Sequence, residues 1–95
     1  MPTARTTIET PNARKYLAQL SKHFAHKIAV EGSEDDARMS FPAGPIHLKA
    51  DDVALSVSVE AADPEGVDRL KDVLWRHLER FAFREPELRA SWVDA

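Results

Sequence analysis

Cysteine is absent from this chain of 95 residues. That removes disulfides, thiolate metal ligands and thiol nucleophiles together, and it fits a reducing compartment. Glycine is scarce, with three copies, so no glycine-rich loop that cradles phosphates can be built. The opening MPTARTTIET lacks the apolar centre of a secretory signal, and no apolar run approaches membrane-span length. A cytoplasmic protein with no membrane partner is therefore expected. There is also no basic block. The net charge is −3, with both signs interspersed, which argues against nucleic acid as a partner, since phosphate neutralisation needs clustered cations.

What is present is enough for a core. Hydrophobic residues make up 43% of the sequence, too many for a disordered chain, and the length suits a single domain over residues 1–95. Residues 3–9 alternate, with Ala4, Thr6 and Ile8 on one face, and predict a first strand. Thr10 and Pro11 suit the cap and first position of a helix running to about Phe24 or His26. Its buried stripe is Ala13, Tyr16, Leu17, Leu20 and Phe24. Four short alternating runs follow, at residues 27–31, 37–41, 46–50 and 53–60, separated by polar, proline-bearing or acidic turns. Close spacing predicts an antiparallel meander. Asp63, Pro64 and Glu65 then open a second helix, predicted over Pro64 to Arg84 with the stripe Val67, Leu70, Leu74, Leu78 and Phe81. Leu88, Ala90 and Trp92 alternate as a short final strand.

The expected fold class is thus α+β, in the order β-α-β-β-β-β-α. A curved antiparallel sheet carries both helices on one face, with a short C-terminal strand as an addition. The open face would present Arg5, Thr7, Glu31, Arg38, Ser40, His47, Lys49, Ser56 and Ser58.

The chemistry-bearing residues lie on helix edges. Tyr16, Gln19, His23 and His26 stack along one edge of the first helix. His77, Arg80 and Arg84 border the stripe of the second. Neighbouring helices would bring these rows together as a seam of cationic donors and a phenol. Such a seam suits a carboxylate, a phosphate or a catecholate-type anion. The competing reading is an internal network, with Arg80 or Arg84 paired to Glu85 or Glu87 and the histidines bonded to backbone carbonyls. His23, His26 and His77 are also the weak candidates for a metal site, but no HExxH motif and no fourth ligand accompany them, so neither a metal nor a cofactor is expected. Catalytic residues do not emerge. Ser21 and His23 point about 160° apart on a helix, and His47 beside Ser56 or Ser58 lacks a recognisable acidic orienter in the sequence. Trp75, off the main stripe, reads equally as an interface anchor or as a ring covered by the tail from Leu88 to Trp92.

YLAQLSKHFAHK (Tyr16 to Lys27), the FPAG turn (Phe41 to Gly44), HLERFAFRE (His77 to Glu85) and the late Trp92 together resemble the bacterial domain of unknown function 2218 over nearly the whole chain. The resemblance implies a short stand-alone protein, similar to modules fused to siderophore-interacting, flavin-dependent ferric reductases. It implies a role in iron or siderophore handling, with such a reductase as partner. The matching positions are His23, His26, His77, Arg80 and Arg84. The expected function is a non-catalytic binding or accessory module for a small anionic ligand, with Tyr16, His23, His26, His77, Arg80 and Arg84 as ligand-binding residues. The alternatives are a structural or protein-interaction module that self-associates or docks on a reductase, and a metal-dependent enzyme.

Overall fold

The computed structural model describes residues 2–94. Strand β1 (Thr3–Glu9) leads into helix α1 (Ala13–Phe24). Strands β2 (Val30–Gly32), β3 (Asp36–Phe41), β4 (Gly44–Ala50) and β5 (Ala54–Glu60) form the meander. Helix α2 (Pro64–Phe81) and the two-residue strand β6 (Val93–Asp94) complete the fold. The sheet is antiparallel throughout, in the order β2-β3-β4-β5-β1-β6.

Alternation in the strands decides which face meets the helices. Ala37, Met39, Ile46, Leu48, Leu55, Val57, Val59, Ala4 and Ile8 are buried, whereas Arg38, His47, Ser56, Ser58, Arg5 and Thr7 between them are exposed. Both helices lie over β4 and β5 on the buried side. Leu17, Leu20, Leu70, Leu74 and Leu78 meet the strand residues there in one apolar layer. Burying such side chains contributes roughly 1.5–3 kcal/mol each. The α+β class, the element order and the sheet with one open face follow the sequence pattern.

The element ends differ from expectation for local reasons. The first helix begins at Ala13, with Asn12 as its cap residue. Thr10 does not cap it by the expected route, because its hydroxyl accepts the Asn12 amide at 3.1 Å and donates to Glu85. The second helix is capped as expected, with the Asp63 carboxylate accepting the Gly66 amide at 2.8 Å and Pro64 in the first turn. It ends at Phe81, and residues 82–84 form a turn before Pro86. Strand β2 starts later than expected, since the Lys27 and Ile28 amides still bond the Phe24 carbonyl. The last strand is residues 93–94, and the 88–92 stretch lies along β1 mainly through the Ser91 amide, which donates to Thr6 Oγ1 at 3.1 Å.

Two local features pin the meander. Gly44 has φ +149°, and a Cβ there would lie 1.9 Å from the Glu60 carbonyl oxygen. Only glycine fits this close backbone approach. Arg14, on α1, donates to Asp35 at 2.6 Å and also to Asp52, joining the helix to the β2–β3 and β4–β5 turns.

Candidate functional site

The two helix edges meet. Tyr16 contacts Glu85 at one end and His23 contacts His77 at the other, so the chain directions oppose. Seven residues of helix separate Tyr16 from His23, about 10 Å along the axis. The expected seam is therefore two separate clusters.

The first is a histidine pair inside a group of aromatic rings. The His23 and His77 centroids are 4.9 Å apart at a tilt of 45°. Phe24 lies 5.0 Å from His23 and 4.7 Å from His77, and Phe81 is 6.0 Å from His23. His77 donates through Nδ1 to the Val73 carbonyl at 2.6 Å, as a carbonyl can only accept. Its Nε2 is therefore the proton-free nitrogen of the neutral ring. His23 Nε2 is buried and has no hydrogen-bond partner. Buried polar atoms of this kind are uncommon, because desolvation without a partner costs roughly 1–3 kcal/mol. Burial first, then the neighbouring His77, Lys27, Arg80 and His26, hold the His23 pKa below the usual histidine value.

The second cluster gathers on Glu85. Its carboxylate accepts from the Tyr16 hydroxyl at 2.5 Å, from Asn12 Nδ2 at 2.6 Å and from Thr10 Oγ1 at 2.9 Å. Burial acts to raise the Glu85 pKa, but the bonds from Tyr16, Asn12 and Thr10 outweigh it and hold it below the ordinary value. Burial and the adjacent carboxylate push the Tyr16 phenol up to about 12. The carboxylate thus fastens the chain after α2 to the start of α1. No sequence signal marks this contact, since Glu85 and Tyr16 are 69 residues apart.

Of the remaining candidates, Arg80 and His26 act on the histidine pair only through charge, and Arg84 lies apart from it. Arg80 is exposed and near enough to His23 to affect it electrostatically. Arg84 lies beyond α2, 5.5 Å from the Phe83 ring. His26 is exposed in the turn after α1. Among the described residues neither Arg80 nor Arg84 forms an ion pair, so the expected pairing with Glu85 or Glu87 does not occur. No three His, Asp or Glu groups among those residues converge as a metal site would require.

Two clefts lie elsewhere. One, of about 380 Å³, runs between α2 and the tail and is lined by Trp75, Leu78, Phe83 and Leu88. Trp75 is half-buried there beside Leu88, while Trp92 sits under the Lys71 ammonium at 5.5 Å. The other, of about 410 Å³, opens on the water-facing side of the sheet and is lined by Arg5, Arg38, His47 and Ser58. Strand alternation puts these four on that face, and their alignment comes from the register of pairing across strands. Asp36 Oδ1 bonds His47 Nε2 at 2.7 Å, the acidic neighbour that sequence alone did not reveal.

Comparison with known proteins gives the chain its relatives. The solution NMR structure of PA4090 from Pseudomonas aeruginosa superposes over 98% of this chain and 96% of that one, with a TM-score of 0.83 and 25% sequence identity. No curated protein matches. No helix of the described residues is long and apolar enough to cross a membrane. The profile of a family described as uncharacterized protein conserved in bacteria, domain of unknown function 2218, matches residues 5–93. With nearly its whole length inside that profile and the same fold in a bacterial neighbour, this chain belongs to the domain of unknown function 2218 family.

Proposed function

We propose that the domain is a non-catalytic binding module whose ligand is a small anion, held where the helices meet at His23, His77 and Arg80. The observation that supports this is the buried His23 Nε2, which no protein group satisfies. An anion seated there would accept from His23 and draw on the positive potential of Arg80 and Lys27, both of which act on this ring. It would also reverse the effect of burial and favour the imidazolium, so binding strengthens as pH falls from 8 to 6. A ferric siderophore is the finer form of this reading. It rests on the resemblance to modules fused to siderophore-interacting reductases, as does a cytoplasmic place beside such a partner.

Isothermal titration with inorganic phosphate, citrate and a ferric catecholate complex tests it. At least one should bind saturably, and His23→Gln and His77→Gln, checked for native folding by NMR, should each weaken it about tenfold. Binding that is absent, or indifferent to both changes, removes the seam as the site.

Protein docking is the second reading. Phe83 is 70% exposed at the edge of the Trp75–Leu88 cleft, an apolar surface of the kind that partners cover. Phe83→Ser should abolish any concentration-dependent rise in mass measured by light scattering or any binding to a co-purified reductase. Unchanged association would refute it.

A further inference from the structure

The open face of the sheet carries a cationic row that owes nothing to the helix seam. Register places Arg38 opposite His47, His47 opposite Ser58, and Ser58 opposite Arg5, on the adjacent strands β3, β4, β5 and β1. Strands lie about 4.8 Å apart, so the two arginines are rooted about 14 Å from each other. Ser58, short and on the central strand, leaves a trough between the long side chains on either side, and this is the cleft of about 410 Å³. Neither arginine has an ion-pair or hydrogen-bond partner among the described residues. Asp36 holds His47 through Nε2 at 2.7 Å, which fixes the ring and leaves Nδ1 without a protein partner. The arrangement is thus two free guanidiniums, a hydroxyl and an oriented imidazole along one line.

We propose that this row binds a phosphate monoester, with the phosphoryl group over Ser58 and His47 and one arginine closing on it from each side. Two planar guanidiniums, each presenting paired donors, call for an anion with three acceptor oxygens rather than the two of a carboxylate. The ester oxygen then leads toward Pro45, which supplies the apolar part of the cleft wall. Glu60 at that end of the cleft repels a second phosphate, so a polyphosphate or a nucleic-acid backbone is disfavoured. The net charge of −3 acts in the same direction.

The test is a titration of the full chain with inorganic phosphate and with phenyl phosphate, followed by amide chemical shifts. The shifts should saturate and centre on Arg38, His47, Ser58 and Arg5. Phenyl phosphate should bind more tightly than inorganic phosphate. Arg5→Gln and Arg38→Gln should each raise Kd about tenfold with an unchanged thermal midpoint, as both side chains are exposed. Arg69→Gln, an exposed charge change on α2, should leave Kd alone. The proposal is overturned if neither ligand saturates, if no saturating shifts fall on Arg38, His47, Ser58 and Arg5, or if Arg69→Gln weakens binding as much as the other two. It is also overturned if Arg5→Gln instead abolishes a concentration-dependent dimer, which would give this face to a second copy. His23→Gln and His77→Gln lie across the sheet and should leave the shifts at Arg38, His47, Ser58 and Arg5 unchanged while removing any at the helix seam, so the two sites stand or fall separately.

Discussion

Replacing Tyr16 with Phe removes one hydroxyl and keeps the ring that packs beneath it. Tyr16 is 3% exposed, so the lost bond is a buried one to a charged acceptor, of a kind that contributes roughly 1.5–3 kcal/mol net. Glu85 retains its bonds from Thr10 and Asn12 and is not left bare. The lower half of that range follows, about 1.5–2 kcal/mol, or roughly 6–16 °C in thermal midpoint for a domain of this size. Urea unfolding followed by Trp fluorescence measures it. The decisive form is a double-mutant cycle with Glu85→Gln, whose coupling should exceed about 1 kcal/mol. Losses additive to within about 0.5 kcal/mol would refute the reasoning, because contacting residues couple and independent ones do not. Alkali gives a second readout. The folded phenol is raised to about 12 against about 10 in the unfolded chain. Its contribution is therefore complete below pH 10 and is lost as pH rises through 12. Tyr16→Phe should remove that alkaline loss. At the acid end the depressed Glu85 value gives stability that is present above the ordinary glutamate pKa and lost as pH falls through the folded one, a loss that Glu85→Gln should reduce.

The other expectations concern single positions. His23 has a folded pKa below its unfolded one, so the unfolded state takes up the proton first and stability falls as pH drops below about 6.5. The difference between wild-type and His23→Gln stability, followed by urea unfolding from pH 8 to 5, should carry this slope. A difference independent of pH would contradict it. Gly44→Ala should cost at least about 2 kcal/mol, combining a strained φ with a collision against the Glu60 carbonyl. A change below about 0.5 kcal/mol in the same assay would show that the close approach is not needed.

The fold was legible where one side chain in two or one in four had to be apolar. Val53 to Val59 read as a strand because its alternation admits no helix, and the stripe through Leu70, Leu74 and Leu78 read as a helix for the converse reason. Ends were less legible. Thr10 resembles an ordinary cap, and only the distant Glu85, which takes its hydroxyl, explains why the helix starts later. The site was legible in part. His23 and His77 face each other as their spacing implied, but Tyr16, on the same helix edge, is drawn to Glu85 instead. The line from Arg38 to Arg5 could not be aligned from local patterns, because it exists only once four strands are in register.

The sheet also ends abruptly on both sides. Its outermost strands are three and two residues long, while the inner four have six or seven. A long bare edge invites pairing with another chain, and a short one offers too few amides and carbonyls to nucleate it. On the β1 side this protection depends on Ser91, Val93 and Asp94 lying against the strand, on a tail whose start is fastened to α1 by the Glu85 carboxylate. Loosening Glu85 would therefore leave the Ser91–Thr6 bond and the two-residue β6 pairing to hold the tail alone, and fraying there would bare the backbone of β1 to intermolecular β-pairing.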